Sequence, residues 1–293
     1  MWRSVDGGAW GLLPSTNLGG FFYAMRCNDA GTVCLAAPGA ALYRSVDKGS
    51  TWSQVESAPS GSFTTVWGNP AGTVWFAATF AGSGTNGWLY KSTDSGATWT
   101  QIPGTQIERW GTVSCDATAT KCVAGARERP NAEAGQLYYS NDGLQTLTQA
   151  SGLPRGLFAG SIMSADGQNV LVTAFEVDSD IDPFPDGPGY IYRSEDGGQT
   201  FEQADVPQAY YYGIDCDSAF KMCAVAPNGD FNYNFVPMLT SCDGGRTWFD
   251  SPGVELGFLD VKVNADGGMM YSAADSRPTP TSPYYVWSFP LTA

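Results

Sequence analysis

Carboxylates are concentrated in one short stretch of this chain. Asp178, Asp180, Asp182 and Asp186 follow one another closely, and Glu176 precedes them. Carboxylate oxygens are the ligands that calcium and other hard cations take in proteins. The stretch therefore predicts a site for calcium or another hard cation, although it lacks the spacing and the distal glutamate of an EF-hand loop. A solvated acidic loop is the alternative interpretation.

A second set of residues combines arginines with carboxylates. Glu108 and Arg109 are adjacent, and Arg127, Glu128 and Arg129 form a second group. A guanidinium group can hold a carboxylate through two parallel hydrogen bonds, so these residues are candidates for ligand binding. Solvated surface ion pairs are the alternative.

Aromatic side chains form a third set. Tyr210, Tyr211 and Tyr212 are consecutive, and Trp110 follows Arg109. Aromatic faces could stack on a sugar ring or on another flat ligand. Because alternate residues of a strand point to opposite faces, some of these rings must pack in the core instead. The remaining aromatic candidates are Phe21, Phe22, Tyr23 and Phe158.

The absence of histidine from the sequence narrows the chemistry. It excludes Ser-His-Asp and Cys-His nucleophile systems and any metal held by imidazole. Paired carboxyl groups could still hydrolyse a glycosidic bond if they lay about 5 to 9.5 Å apart. The candidates for such a pair are Glu108, Glu128, Asp178, Asp180 and Asp215.

Composition restricts the fold class and the partners. The net charge of −14 repels phosphate backbones and anionic lipids, so we expect no nucleic-acid partner. No stretch approaches the roughly eighteen consecutive apolar residues of a membrane span. The 36 glycines, the 18 prolines and the many aromatic residues are typical of short strands joined by tight turns. The sequence therefore predicts an all-β protein, and we expect a monomer.

An eight-residue pattern recurs along the chain. Residues 45–52, 92–99 and 241–248 read S-x-D-x-G-x-T-W, and residues 194–201 replace the Trp with Phe. Two further copies, which begin at Ser4 and Ser140, are degenerate. The aspartates of successive copies are 41 to 54 residues apart, about the length of one four-stranded propeller blade. These aspartates are Asp6, Asp47, Asp94, Asp142, Asp196 and Asp243.

The residue types of the pattern suit a tight turn between two strands. Asp can accept hydrogen bonds from backbone N–H groups two and three residues later, and Gly supplies a positive φ. The pattern resembles the Asp-box (BNR) repeat family, which includes sialidases, two-domain xyloglucanases, sortilin-type receptors and a photosystem II assembly factor. The resemblance covers essentially the whole chain and implies a β-propeller whose Asp boxes lie away from the central site. The Arg-Ile-Pro motif and the arginine triad of sialidases have no matching positions here.

Each repeat predicts four strands, which we call A, B, C and D in chain order. In the first repeat these are residues 21–26, residues 33–37, residues 42–45 and a strand from Trp52. Six such repeats predict a six-bladed propeller of four-stranded antiparallel blades, as a single domain over residues 1–293.

The N-terminal segment is expected to close the ring. Residues 2–13 carry an Asp box with no A or B strand before it, so they should complete the last blade and cover its open edge. Residues 284–289 also look like a C strand and compete for the same place. A seven-bladed ring with one truncated blade is therefore the alternative.

Six of the seven cysteines form C-x6-C pairs that flank predicted A–B turns. Residues so placed face each other across a hairpin, where the Cα separation can suit a disulfide. Zinc sites usually have closer spacing, so we expect three disulfides and hence a secreted, periplasmic or cell-surface protein whose export signal is absent from this sequence. Cys242 is left over as a partly buried free thiol. The pairs are Cys27–Cys34, Cys115–Cys122 and Cys216–Cys223.

The B–C and D–A loops of a propeller share one face, and the B–C segments of this chain are long. We therefore expect an extracytoplasmic binding propeller that presents a site for a glycan, peptide or protein on that face. The alternative is a glycan-active hydrolase or lyase that uses paired carboxylates there, so enzymatic activity stays open. The predicted B–C segments are residues 80–87, 127–136, 176–189, 228–237 and 276–283.

Overall fold

The computed structural model shows only β-strands as regular structure in the residues that it describes. None of them forms a helix long and apolar enough to cross a membrane. The described residues are 2–3, 11–12, 22–38, 40–59, 61–80, 87–106, 109–128, 135–176, 189–227, 236–251, 257–275 and 285–290.

The chain divides into two compact units, Met1–Trp110 and Gly111–Ala293. The first unit contains a two-stranded sheet and sheets 1 and 2, each of four strands. The two-stranded sheet pairs β1 (Trp2–Arg3) with β2 (Gly11–Leu12). Sheet 1 contains β3 (Phe22–Cys27), β4 (Cys34–Pro38), β5 (Tyr43–Ser45) and β6 (Ser53–Gln54), and sheet 2 contains β7 (Ser62–Gly68), β8 (Trp75–Phe80), β9 (Leu89–Ser92) and β10 (Thr100–Gln101).

Four more sheets follow in chain order, with the unit boundary inside the first strand of sheet 3. Sheet 3 contains β11 (Arg109–Cys115), β12 (Cys122–Glu128), β13 (Leu137–Ser140) and β14 (Thr148–Gln149). Sheet 4 contains β15 (Gly156–Met163), β16 (Val170–Glu176), β17 (Gly189–Ser194) and β18 (Glu202–Gln203). Sheet 5 contains β19 (Tyr211–Cys216), β20 (Cys223–Pro227), β21 (Leu239–Ser241) and β22 (Phe249–Asp250), and sheet 6 contains β23 (Gly257–Val263), β24 (Met269–Asp275) and β25 (Tyr285–Pro290).

The six sheets confirm the predicted repeat, since each begins with a new A strand and neighbouring strands are antiparallel. Sheet 6 differs from the expectation. Its third strand is β25, whereas β1 pairs with β2 in a separate sheet. The third strand is therefore the competing segment, residues 284–289, and closure of the ring by the N-terminal segment stays a prediction. Both segments have the short apolar pattern of a C strand, and β25 makes six residue pairs with β24.

Hydrophobic clusters lie between neighbouring sheets, and strand B contributes side chains to the cluster on each of its two faces. In β16, Val170 and Val172 pack in the cluster shared with sheet 3, whereas Leu171 packs in the cluster shared with sheet 5. A strand buried on both sides reads as a continuous apolar run rather than as an alternation. Full burial of each such side chain contributes about 1.5–3 kcal/mol. The D strands, in contrast, are short and exposed.

The S-x-D pattern forms the same hydrogen-bonded C–D turn in each of the five copies that the structure describes. The Ser Oγ donates to one carboxylate oxygen of the Asp at 2.7 to 2.8 Å, and the Thr Oγ1 donates to the other at 2.6 to 2.7 Å. The copy at Asp142 keeps this network, because it keeps Ser140 and Thr146, and Leu144 takes the positive φ of the missing glycine. Asp6 lies outside the described residues.

A second hydrogen bond, from backbone to side chain, recurs in the A–B turns. The residue that follows each A strand accepts a backbone N–H from the far side of its turn through a side-chain oxygen. The sequence predicted turns at these segments, but it did not predict this hydrogen bond. The accepting residues are Asn28, Asn69, Asp116, Ser164, Asp217 and Asn264.

The three predicted disulfides are confirmed. Each one joins the end of an A strand to the start of the B strand, in sheets 1, 3 and 5, with the two Cα atoms 4.0 Å apart. Closing a loop of this length removes about 2–3 kcal/mol of chain entropy from the unfolded state. Cys242 is free and half-buried, as expected.

Replacement of Gly245 by alanine should destabilise the protein strongly. Gly245 has φ +82°, and an added Cβ would lie 2.6 Å from Leu171 of the neighbouring sheet. Positive φ costs an L-residue about 1–2 kcal/mol, and overpacking adds about 1–3 kcal/mol. Gly104→Ala is the matched control, because Gly104 has φ +77° but open space around it. Urea denaturation should show the larger loss for Gly245→Ala, and equal losses would contradict the packing explanation.

The stability of the C–D turns should fall in acid. Hydrogen bonds from the Thr51 hydroxyl, the Thr51 amide and the Ser45 hydroxyl lower the pKa of Asp47 to about 2, from 3.8. A lowered pKa in the folded state gives stability that is present above pH 4 and is lost as the pH falls through about 2. The melting temperature should therefore drop less between pH 5 and pH 2 in Asp47→Asn than in the wild type. An unchanged drop would contradict this account, and the exposed Asp29→Asn serves as the control.

Candidate functional site

Each sheet has two ends with different connections. The A–B and C–D turns lie at one end, which we call the turn end, and strand B runs into strand C at the other, which we call the B–C end. In sheet 4 the B–C end is marked by the pairing of Glu176 with Gly156 and of Phe175 with Gly189. Most of each predicted long B–C segment lies outside the described residues.

The predicted calcium site cannot be placed. Asp178, Asp180, Asp182 and Asp186 all lie outside the described residues. Within the described ranges, no group of three His, Cys, Asp or Glu side chains could hold a metal ion. Calcium binding by the acidic stretch therefore stays a prediction.

The predicted arginine set is described only in part. Glu108 and Arg129 lie outside the described residues, as does the side chain of Glu128. Arg109 begins β11 and is 9% exposed. Arg127 is half-buried in β12, with its alkyl chain over Gly111, where an added Cβ would lie 2.5 Å from Arg127 Cγ.

Two of the predicted aromatic candidates lie in the core. Trp110 is fully buried, and its Nε1 donates to the carbonyl oxygen of Thr105 at 2.9 Å. Phe158 is also fully buried, in the cluster between sheets 3 and 4. Phe21 lies outside the described residues, and so do the side chains of Phe22 and Tyr23.

The three consecutive tyrosines separate as the strand periodicity predicts. Tyr211 is 2% exposed in the core between sheets 4 and 5, and its hydroxyl donates to the carbonyl oxygen of Pro207 at 2.6 Å. Burial raises the pKa of Tyr211. Tyr210 and Tyr212 are half-buried. Tyr211 thus acts as an anchor for the two tyrosines on either side of it.

Phe175 supports both of the half-buried tyrosines. Its ring centroid lies 5.7 Å from that of Tyr210 and 5.1 Å from that of Tyr212, with tilted ring planes. Phe175 is itself fully buried at the end of β16. The register between β19 and β20 shifts at Tyr212, and such bulges redirect a side chain. The two tyrosines therefore rest on a fixed apolar support at the B–C end.

Gly189 determines the path of the segment that precedes Tyr210. An added Cβ on Gly189 would lie 2.1 Å from the carbonyl oxygen of Ala209 and 2.8 Å from the Phe175 ring. Only a glycine allows the backbone to come this close. The Ala209 amide donates back to the Gly189 carbonyl oxygen.

A polar pair lies on the same segment and strand. Gln208 Nε2 donates to the hydroxyl oxygen of Tyr190 at 2.6 Å. Gln208 is exposed, and Tyr190 is half-buried at the start of β17. Tyr190 packs against the core between sheets 3 and 4. We call Phe175, Tyr210 and Tyr212, whose rings are in contact, the tyrosine patch. These three side chains are uncharged, so the patch offers apolar ring faces and two phenol groups to a ligand.

Sequence reasoning found Tyr210 and Tyr212 but missed Phe175, Tyr190 and Gln208. The missed residues belong to no sequence motif. The one feature that could have identified them is their position next to the predicted B–C and D–A connections of sheet 4. Phe175 and Tyr212 are brought together only by the packing of sheet 4 on sheet 5.

Of the carboxyl groups predicted for a hydrolytic pair, Asp215 is the one whose side chain the structure describes. Asp215, a predicted candidate, is 8% exposed and accepts the backbone N–H of Val263 at 3.0 Å, so it joins sheets 5 and 6. Every described carboxyl group whose pKa departs clearly from its ordinary value has a lowered pKa, whereas a general acid needs a raised one. These groups are Asp47, Asp94, Asp142, Asp166, Glu195, Asp196 and Asp243.

Two cavities of about 280 and 480 Å³ lie at the turn end of sheets 4 and 5. Arg193 and Arg246 line both and share the carboxylate of Glu195. Arg193 also donates to the Gly244 carbonyl oxygen at 3.0 Å and to Asn169 Oδ1 at 2.9 Å. These guanidinium groups therefore hold neighbouring turns together.

No protein-family model and no curated protein matches the chain. Solved structures do match it. An ancestral GH74 enzyme is 13% identical with a TM-score of 0.66, over 94% of this chain and 42% of that one. Hydrazine synthase of Kuenenia stuttgartiensis is 11% identical with a TM-score of 0.65, over 91% and 83%. The β-propeller domain of the Trilobed protease from Pyrococcus furiosus is 11% identical with a TM-score of 0.58, over 93% and 85%.

These similarities show the fold class and nothing of the activity, because the identities are low. The chain is an all-β protein of the β-propeller class, built from successive antiparallel sheets. It spans only 42% to 55% of the length of the GH74 enzymes to which it is similar. The predicted Asp-box membership remains a resemblance.

Replacement of Gly189 by alanine should disturb the tyrosine patch. The added methyl group would displace the Ala209 carbonyl, and overpacking of this kind costs about 1–3 kcal/mol. Urea denaturation of Gly189→Ala and of Gly268→Ala, an exposed glycine with no backbone atom against it, measures the difference. Loss of stability in the first variant only is expected, and an unchanged first variant would mean that Ala209 does not lie against Gly189.

Proposed function

We propose that this chain is an extracytoplasmic recognition module that binds its ligand at the B–C end of its sheets, through the tyrosine patch. The carrying observation is the pair Tyr210 and Tyr212, half-buried on the fully buried Phe175. Rings that are held from below lose little side-chain freedom on binding, so a larger share of their contact energy is kept as affinity.

The extracytoplasmic location is supported by the disulfides. Three oxidised pairs are stable in secreted or periplasmic compartments and rare in the cytosol. A negatively charged surface that repels nucleic acid and anionic lipid agrees with a glycan, peptide or protein ligand. We keep the expectation of a monomer and of a calcium ion at the stretch that contains Asp178.

Binding without catalysis is the interpretation that the patch favours. The patch offers aromatic faces and phenol groups, and the described carboxyl groups with shifted pKa values have lowered ones. Glycoside hydrolysis needs a protonated carboxyl group near neutral pH beside a second carboxylate. The glycan-active hydrolase therefore remains the alternative outcome of the test below.

The test is ligand capture on an array of glycans and peptides, with the wild type, Tyr210→Ala/Tyr212→Ala and Val46→Ser. Val46 is 59% exposed in a C–D turn of sheet 1, so Val46→Ser is the control at the turn end. We expect the wild type and Val46→Ser to retain the same ligand and the double variant to lose it. Retention by the double variant would place the site elsewhere. Release of new reducing ends from a captured glycan would establish the hydrolase alternative instead.

A further inference from the structure

The three disulfides differ in how accessible their cysteines are to solvent. Cys115 and Cys122 are both buried, at 3% and 0% exposure. The bond Cys216–Cys223 is intermediate, because its first cysteine is half-buried and its second is fully buried. In the third bond Cys27 is exposed, whereas its partner Cys34 is 2% exposed. Of the six bonded cysteines, all of which the structure describes, Cys27 is therefore the one that a dissolved reagent reaches directly.

This difference gives thiol–disulfide exchange at Cys27–Cys34 a direction. A thiolate attacks one of the two sulfurs of a disulfide, and access decides which one. Attack on Cys27 Sγ forms a new S–S bond between the incoming thiol and Cys27 and breaks the bond to Cys34. The Cys34 sulfur leaves with the bonding electron pair as a thiolate and takes a proton from water. Attack on Cys34 Sγ would instead require a buried sulfur to be reached.

The thiol that leaves has a hydrogen-bond acceptor close to it. Cys34 Sγ lies 3.7 Å from the carbonyl oxygen of Gly31 in the same turn. A disulfide sulfur has no proton to donate, whereas a freed thiol can donate to this oxygen. The hydrogen bond would hold the Cys34 thiol near Cys27, where its thiolate can attack the mixed disulfide, re-form the original bond and release the small thiol. The exchange is therefore reversible.

The A–B turn of sheet 1 keeps its shape through hydrogen bonds that do not involve sulfur. The Asn28 amide donates to the Val33 carbonyl oxygen at 2.9 Å, and the Gly31 amide donates to the Asn28 carbonyl oxygen at 2.8 Å. The Asp29 amide donates to the Pro70 carbonyl oxygen of the neighbouring A–B turn at 3.2 Å. Because these bonds remain when the disulfide opens, the exchange does not require the sheet to unfold.

We propose that Cys27 is a site of reversible modification by small thiols. The modified protein carries a mixed disulfide on Cys27 and a free, buried thiol at Cys34, in an otherwise folded sheet 1. The proposal does not depend on the tyrosine patch or on the ligand that binds there.

The first experiment follows the opening of the three disulfides in the native, full chain. The probe is cysteamine, a cationic thiol that the net charge of −14 does not repel. Samples are quenched in acid, alkylated in denaturant and read by peptide mass spectrometry. We expect Cys27–Cys34 to open at least about tenfold faster than Cys115–Cys122, because a buried disulfide reacts only after local unfolding. The cysteamine adduct should lie on Cys27. Equal rates for all three bonds, or an adduct on Cys34, would overturn the proposal.

A pair of matched variants tests the direction of attack. Cys34→Ser and Cys27→Ser each leave one thiol of the pair, and Cys242→Ser is added to both so that the remaining free cysteine does not react. Each thiol is allowed to attack cystamine, the disulfide of cysteamine, which forms a mixed disulfide and releases one cysteamine. The native Cys34→Ser variant should react at least about tenfold faster than the native Cys27→Ser variant.

The same two reactions in denaturant are the control. With the chain unfolded both thiols are accessible, so the two rates should be similar if access alone separates them. Equal rates in the native state, with both variants shown to be folded by near-ultraviolet circular dichroism, would contradict the assignment of the site to Cys27. If either variant does not fold, the order of opening in the wild type decides.

Discussion

A carboxylate that accepts hydrogen bonds from its own turn is the interaction on which the described sheets depend. Each described C–D turn places Ser on one Asp oxygen and Thr on the other, within seven residues of chain. This network fixes where strand C ends and where strand D begins, and so aligns the B strand whose two faces form the core between sheets. A glycine two residues after the Asp, with positive φ, lets the turn pack closely on the neighbouring sheet, as at Gly245 against Leu171.

The same constraint explains why the two ends of the sheets differ. At the turn end, hydrogen bonds and ion pairs join neighbouring turns. The two arginines that pair with Glu195 are an example. At the B–C end, the predicted B–C segments differ in length and residue type. The tyrosine patch lies there because Gly189 and the buried Tyr211 fix the backbone on both sides of Tyr210. A regular scaffold with one variable end is a common way of carrying a binding site.

Local features were predictable from the sequence, and non-local ones were not. The C–D turns and the pairs such as Cys27–Cys34 involve residues close in sequence, so spacing alone identified them. The periodicity of a strand also separated the buried Tyr211 from its neighbours. The support of Tyr212 by Phe175 joins residues of two sheets, and no local pattern marks it. The third strand of sheet 6 could not be assigned from the sequence for the same reason, since two segments with similar patterns competed for one edge and β25 takes it.

The central claim is that ligand binds at the B–C end on the tyrosine patch. Hydrogen–deuterium exchange of the full chain, with and without a saturating amount of the ligand captured on the array, tests it most directly. The account predicts slower exchange in residues 207–213 and 173–176, with no change in the C–D turns at Asp196 and Asp243. Protection confined to those turns, or no protection in residues 207–213 while the ligand is bound, would contradict it.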